Sequence, residues 1–559
     1  MAQYKFTSVE EMPPLALSLD STRRMSTGSW RHVRPIYKDK ISPCEVGCPA
    51  GEKIPEYFDL VREKKYERAW YKILEDNPLP GVTGRVCYHP CESQCNRAFY
   101  DEAIAIHSIE RFVADQNLDK HIPHLAETVK SEKVAVIGSG PAGLSCAYHL
   151  VRRGYRVTIF EAEAEAGGML RYGIPQYRLP RNILDKEIGD IANLGVVIRT
   201  NSRVGENVPW SELEKFDAVF LAIGASKSKK LGIEGEDLEG VLSGVDFLRK
   251  LNTGRVPEVG KRVVVIGGGN TAIDAARTAL RMGKDVTILY RRTRKEMPAV
   301  PEEIEEAEKE GVKFDFLIAP LRVIEEGGSV KGIEMQRMQL DKPDESGRRK
   351  PVPLKGTEFI VEADTVITAI GEDPDLSFIP YSFLKKGLRI VVDESHSTGV
   401  PGIYAGGDAA TNPYGTVVDA IRAGKEGAEA IDEFLGWKSS KSTEAMTVVK
   451  SGDINTFYFP HEKRLKSPRI SLAKSKNSFK EVNKTVSEKR ALREVDRCFS
   501  CGTCVHCDVC LTFCPDVAII KDEFGEYKID YDHCKGCGIC VSECPRDAME
   551  LVEEELQWV

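Results

Sequence analysis

The sequence predicts a multidomain α/β protein, with two parallel-sheet lobes in the middle and a small cysteine-rich domain at each end. Three observations carry this expectation. Residues 133–161 and 261–292 each run strand, glycine turn, helix, strand. Of 16 cysteines, five lie between Cys44 and Cys95, ten between Cys498 and Cys544, and Cys146 stands alone. The 559 residues, 42% apolar and 29% charged, suit several globular domains of about 150 residues each.

Composition narrows the function. A formal charge of −8 argues against a nucleic-acid binder. The start, MAQYKFTSVEEM, has no apolar core of a secretory signal. No uninterrupted apolar run reaches the roughly 18 residues of a membrane span. A cytoplasmic chain with no membrane insertion is expected. Structural disulfides are rare in that compartment, so clustered cysteines point to metal, above all to iron–sulfur.

The first unit reads KVAVIGSGPAGLSCAYHLVRRGYRVTIFE. Gly138, Gly140 and Gly143 match G-x-G-x-x-G, with Ser139, Pro141 and Ala142 between them, and the second strand ends in Glu161. This is the context a Rossmann-like dinucleotide site requires. The turn lets a pyrophosphate approach the backbone, and the terminal acid is placed to bind a ribose. The second unit reads KRVVVIGGGNTAIDAARTALRMGKDVTILYRR, with Gly267, Gly269, Asn270, Thr271 and Ala272 in the turn. Where the first unit ends in an acid, the second ends in Tyr290, Arg291 and Arg292. An acid repels a 2′-phosphate and a guanidinium pairs with one. The first site thus suits FAD and the second NADP(H). If the arginines are only a solvated run, NAD(H) fits as well.

The C-terminal cysteines carry the most specific spacing. CVHCDVCLTFCP (504–515) and CKGCGICVSECP (534–545) both read C-x2-C-x2-C-x3-C-P, the pattern of a bacterial two-cluster ferredoxin. The fourth cysteine of each run serves the other cluster. One cluster is then held by Cys504, Cys507, Cys510 and Cys544, and the other by Cys534, Cys537, Cys540 and Cys514. Cys498 and Cys501 extend the x2 spacing upstream, as spare thiols, ligands of another site or a shifted register.

Several ordered motifs resemble one family closely. GSGPAG with Glu161, GGML–YGIP–YRLP (167–180), GGGNTAID, YRRTRKEMPA (290–299) and YAGGD–GTVVDAIRAGK (404–425) are similar to the NADPH-dependent glutamate synthase small subunit and to the N-terminal half of dihydropyrimidine dehydrogenase. The resemblance covers roughly residues 40–436. It implies that Gly168 and Met169 lie along FAD with Glu161. It also implies that Asp408, after Gly407 at the end of a strand in the cofactor site, reaches the ribityl or pyrophosphate, and that Thr416 and Val417 approach the isoalloxazine. It further implies an NADP lobe inserted into the FAD lobe. The expected order is an N-terminal arm and helical Fe–S domain (1–130), FAD lobe (131–255), NAD(P) lobe (256–360), FAD lobe again (361–436), a basic linker (437–497) and a ferredoxin-like α+β module (498–559).

The N-terminal cysteines are spaced Cys44-x3-Cys48 and Cys87-x3-Cys91-x3-Cys95, which suits a [4Fe–4S] cube, with zinc the competing metal. Relatives carry two clusters here and an extra C-x2-C ahead of Cys44, which this chain lacks. One cluster is therefore expected, three in all. The resemblance assigns it Cys48, Cys87 and Cys91, with Glu110 in SIERF as candidate fourth ligand. Cys44 and Cys95 match the depleted site, or instead complete the cube.

Residues 436–497 hold 15 Lys/Arg and 7 Asp/Glu and read as an extended linker. The module after it has 4 Lys/Arg and 13 Asp/Glu, so opposite charges offer a way to dock the two. TGSWRHVRP (27–35) resembles a segment of the ferredoxin-like subunit of 2-oxoacid:ferredoxin oxidoreductases. Trp30, Arg31 and Arg34 suit either a partner surface or an arm packed on its own domain.

Together these imply an iron–sulfur flavoprotein that passes electrons between NAD(P)H and a separate redox enzyme. Positioning of the cofactors suffices, so no catalytic acid, base or nucleophile is assigned. GSWR near the start also resembles the flavoprotein that accompanies dissimilatory sulfite reductase. That enzyme is the leading expected partner. A 2-oxoacid oxidoreductase and a soluble ferredoxin are the alternatives.

Overall fold

The computed structural model describes residue 8 and residues 26–123, 129–344, 347–380, 385–386, 389–411, 415–437 and 446–554. Parts of the expected arm (1–7, 9–25) and linker (438–445) lie outside the described residues.

The first lobe is built on a five-stranded parallel sheet. Its order is Ile403–Ala405, Ala218–Leu221, Lys133–Ile137, Arg156–Phe160, Val197–Arg199. Lys133–Ile137 sits centrally, paired through Val134↔Val157 and Val134↔Ala218, and its apolar side chains are buried on both faces, as a parallel strand requires. The last strand of this sheet comes from far along the chain, so a second lobe is inserted. Helices Pro141–Arg152 and Val417–Phe434 pack so closely that a Cβ on Gly424 would lie 2.2 Å from the Ala142 carbonyl oxygen.

The inserted lobe has its own five parallel strands, ordered Lys313–Phe316, Asp285–Tyr290, Arg262–Ile266, Thr365–Thr368, Val241–Ser243. A three-stranded antiparallel sheet, Ile318–Glu326, Ser329–Pro343 and Arg349–Glu362, packs against it. The lobe is wider than the expected 256–360. Val366 pairs with both Val264 and Val241, so the strands on either side of that range belong to it. Thr365–Thr368 is an interior strand, and only this sheet satisfies both of its edges.

Six short helices between Pro43 and Gln116 form the N-terminal domain. Helix Ile54–Arg62 buries Ile54, Tyr57, Phe58 and Val61, an i, i+3, i+4, i+7 stripe. The C-terminal module repeats helix and strand: Val509–Phe513 with the hairpin Ile519–Lys521/Tyr527–Ile529, then Ile539–Glu543 with Met549–Glu553.

Two expectations change. The N-terminal arm packs on its own chain, but on the C-terminal module. Val33–Tyr37 pairs antiparallel with Met549–Glu553, which covers a strand edge that would otherwise be open. Arg31 reaches Glu554 through two hydrogen bonds of 2.7 and 2.9 Å, and the Arg31 and Arg34 guanidinium groups lie over the Tyr531 ring. Trp30 stays 62% exposed.

Residues 446–497, expected as an extended linker, instead form a packed strap. Its bases find acids on the helical domain and inserted lobe: Arg464 pairs with Glu92 and Arg469 with Glu306. Its helix Glu488–Asp496 buries Ala491 and Val495 against Ile54–Arg62 and Ile106–Gln116. Contacts to the acidic module include Tyr458 Oη donating to Glu543 at 2.6 Å and the Arg546 guanidinium over the Phe459 ring. Buried apolar area on the strap helix outweighs the screened attraction of opposite charges.

Candidate functional site

In the first lobe a cavity of about 260 Å³ is lined by Gly138, Ser139, Gly140, Pro141, Ala142, Glu161, Gly168, Met169, Gly407, Asp408, Thr416 and Val417, among others. Gly138 has φ +101°, left-handed backbone that favours glycine. A Cβ on Gly143 would lie 2.0 Å from the Gly138 carbonyl oxygen, whereas one on Gly140 meets no protein atom within 4 Å. Gly143 thus serves the fold, and Gly140 leaves a cradle for a ligand. Glu161 is buried and accepts from the backbone N–H groups of Ser139 at 2.9 Å and Glu163 at 2.8 Å, and from the Ser139 hydroxyl. It therefore ties the turn to the second strand, with lone pairs left for a ribose.

A larger cleft of about 1240 Å³ lies between the lobes. Gly267, Gly269, Asn270 and Thr271 line it at the N-terminus of helix Asn270–Arg281, where orphan N–H groups favour phosphate. Ala272 is fully buried and does not line it. Arg291 is exposed on the rim. Arg292 is buried, paired with Asp344, and its Nε donates to the Arg349 carbonyl at 2.8 Å. It anchors the hairpin that brings Arg348 to the same cleft. Sequence reasoning missed Arg348, because ESGRRKP carries only the signal of a charged turn.

Met169, Asp408, Thr416 and Val417 line both cavities. The two spaces meet at the N-terminus of helix Val417–Phe434, capped by Thr416, whose hydroxyl accepts from the Asp419 N–H at 3.2 Å. Burial raises the Asp408 carboxyl above its ordinary range.

The cysteines fall into groups. Cys48, Cys87 and Cys91 lie together beside Glu110. Burial pushes the Cys48 thiol up, and the charges of Glu52, Glu110 and Cys87 push it further. Glu110 is buried and accepts from Asn77 Nδ2 at 3.1 Å and from the Thr83 hydroxyl. Burial and the neighbouring Glu52 raise its carboxyl. Cys44 and Cys95 face Cys498 and Cys501 instead, although Cys91 still feels Cys44.

In the C-terminal module burial pushes Cys504 up to about 11, aided by Cys510, Cys544 and Cys507. Burial likewise pushes Cys540 up to about 12, with Cys534, Cys514, Cys510 and Cys537 as neighbours. The fourth cysteine of each run thus stands with the other run. Tyr37 Oη lies 3.3 Å from Cys510 Sγ. Groups of buried thiols with raised pKa values are poor as bare thiolates and good as ligands, because bound metal relieves the cost of their charge.

The comparisons agree with this layout. Residues 132–424 match the pyridine nucleotide-disulphide oxidoreductase family, residues 37–122 the 4Fe-4S cluster domain II of dihydropyrimidine dehydrogenase, and residues 527–550 a 4Fe-4S binding domain. The chain is 41% identical over 504 residues to the NADP(+)-dependent formate dehydrogenase subunit beta of Moorella thermoacetica, covering 83% of this chain and 71% of that one. It is 40% identical over 507 residues to the NADPH-Fe(3+) oxidoreductase subunit beta of Geobacter sulfurreducens, covering 82% and 75%. It is 36% identical over 417 residues to the glutamate synthase [NADPH] small chain of Escherichia coli, covering 70% and 88%. Two joined nucleotide cavities between cysteine-rich ends, with these relatives, place the chain in the glutamate synthase small-subunit-like family of FAD- and NADPH-dependent iron–sulfur oxidoreductases.

Proposed function

We propose that the chain is the NADP(H)-linked subunit of a larger redox enzyme, exchanging electrons with a separate catalytic subunit through its C-terminal module. The observation that carries this is the shared boundary of the two cavities at Met169, Asp408, Thr416 and Val417. Residues lining the smaller cavity would hold FAD, and those at the second glycine turn with Arg291 and Arg348 would hold NADP(H). Cys48, Cys87 and Cys91 with Glu110, and the two groups in the C-terminal module, would hold three [4Fe–4S] clusters. When bound, these groups supply the exchange between two-electron hydride chemistry and one-electron transfer. The chain binds them, orients them and excludes water from the boundary.

Cys507 and Cys537 are exposed, which suits a module that meets a partner. Two relatives are named as β subunits, which supports a partner that is the other subunit of such an assembly. Their names favour a formate dehydrogenase-type or ferric-reducing partner over the sulfite reductase or 2-oxoacid oxidoreductase expected from GSWR. Anaerobic isolation from the native host tests the proposal. Flavin bleaching by NADPH together with co-elution of one redox enzyme supports it. Flavin that NADPH does not reduce would overturn it. Full turnover with soluble ferredoxin and no co-eluting enzyme would replace it with a free-standing NADPH:ferredoxin oxidoreductase.

A further inference from the structure

Cys498 and Cys501 lie outside both ferredoxin runs, yet they are 9% and 8% exposed, as deeply buried as Cys44 and Cys95 at 8% each. The strap helix Glu488–Asp496 delivers them to the helical domain. Arg97 Nη1 donates to the Arg497 carbonyl at 2.9 Å, and the Lys40 N–H donates to the Gly502 carbonyl at 3.1 Å. Asn96, next to Cys95, donates from Nδ2 to Cys501 Sγ at 3.5 Å and to the Val449 carbonyl at 3.1 Å. Ser42 Oγ lies 3.2 Å from Cys44 Sγ. Residues 497–502 are thus stitched to both chain segments that carry the N-terminal pair.

The backbone gives a second, independent observation. In CVHC and CKGC the residues two and four places after the first cysteine are left-handed: His506 (φ +51°) and Asp508 (+62°), then Gly536 (+73°) and Gly538 (+75°). In CFSC they are Ser500 (+47°) and Gly502 (+79°). Left-handed Ser and Asp are uncommon enough to need a reason. The turn aims the N–H of the second residue at the first sulfur, and Ser500 N donates to Cys498 Sγ at 3.4 Å. Residues 498–502 therefore adopt the same turn as the two cluster-binding runs of this chain.

From this convergence we infer that Cys44, Cys95, Cys498 and Cys501 form a fourth, all-thiolate [4Fe–4S] site, assembled from opposite ends of the chain. It replaces the C-x2-C absent ahead of Cys44 with one supplied about 450 residues later in the sequence, at Cys498 and Cys501. Iron–sulfur fits better than zinc because of where the site lies. Cys44 shares one short helical turn with Cys48 of the neighbouring group. On the other side, Arg546, two residues after Cys544, donates to the Cys498 carbonyl at 2.8 Å and accepts from Gly502 N at 2.7 Å. The site bridges the helical domain and the ferredoxin module, where redox-inert zinc would interrupt a relay.

The test is metal analysis of the full-length chain after anaerobic purification and reconstitution. Four cubes give about 16 irons and 16 sulfides per FAD, and three give about 12. The double variant Cys498→Ser/Cys501→Ser is expected to fall from about 16 to about 12 irons, whereas Cys146→Ser, a buried cysteine outside every group, keeps the wild-type count. The wild-type count decides the matter even if the double variant fails to fold. A wild type with about 12 irons, one zinc in place of the last four irons, or a double variant with the wild-type count overturns the fourth site and leaves the proposed function standing. No iron at all overturns both.

Discussion

Single glycines divide here into those the fold needs and those a ligand needs. Gly143 has no room for a Cβ, whereas Gly140 has φ −69° and open space. Gly140→Val is therefore expected to leave the fold intact and lower FAD content at least about tenfold, about 1.4 kcal/mol, read from flavin absorbance per chain. The arginines after the second unit divide in the same way. Arg292 is paired with Asp344, which leaves Arg291 and Arg348 as the arginines proposed to meet a 2′-phosphate. Arg291→Glu is expected to raise KM for NADPH about tenfold or more while leaving that for NADH nearly unchanged, as loss of one charge-assisted contact predicts. Equal changes for both nucleotides would refute this. The paired arginines were legible in the sequence. Their different duties were not, because Asp344 lies on a distant hairpin.

Within the inserted lobe, helices Asn270–Arg281 and Pro301–Glu310 are joined by a buried ion network. Glu310 accepts from Arg277 and Arg281 at 2.7–2.8 Å, and the Glu310 and Arg281 side chains are fully buried. Burial pushes the Glu310 carboxyl up, but the two guanidinium groups prevail and hold it at about 2. A carboxyl depressed in the folded state adds stability above its unfolded value and loses it as pH falls through the folded one. Glu310→Gln should therefore cost about 3 kcal/mol at pH 7. The gap should persist at pH 5 and close only towards pH 2. Urea midpoints of variant and wild type at pH 7 and pH 5 check this, and a gap already closed at pH 5 would contradict it. The strap shows the complementary lesson. The 15 bases of residues 436–497 suggested a tether in solution, yet the two apolar residues Ala491 and Val495 on one helical face locate it.

Across the whole molecule, segments hundreds of residues apart meet. The arm strand Val33–Tyr37 completes the C-terminal module and sets Tyr37 against Cys510. Tyr37→Phe removes a hydroxyl 3.3 Å from Cys510 Sγ, which under the proposed function is a cluster ligand. The potential of one module cluster is then expected to fall by about 40 mV, the equivalent of about 1 kcal/mol for one electron. An electron-paramagnetic titration with no shifted centre would count against it. In the turn of the hairpin Ile519–Lys521/Tyr527–Ile529, Phe524 is 83% exposed. Phe524→Ala is expected to slow transfer to the proposed partner enzyme about tenfold, with flavin reduction by NADPH unchanged. Equal rates to the partner would place the docking face elsewhere. No helix among the described residues is long and apolar enough to cross a membrane.

Local sequence determined the two glycine turns, the acid and arginines that follow them, and the paired ferredoxin runs, because each is set by spacing within about thirty residues. The tertiary structure alone decided that Cys44 and Cys95 stand with Cys498 and Cys501, where the strap lies and which sheet owns Val241–Ser243 and Thr365–Thr368. Those outcomes depend on pairings between residues hundreds of positions apart. Such pairings are selected by burial and by hydrogen-bond satisfaction in the assembled core, and neither leaves a periodic trace in the chain.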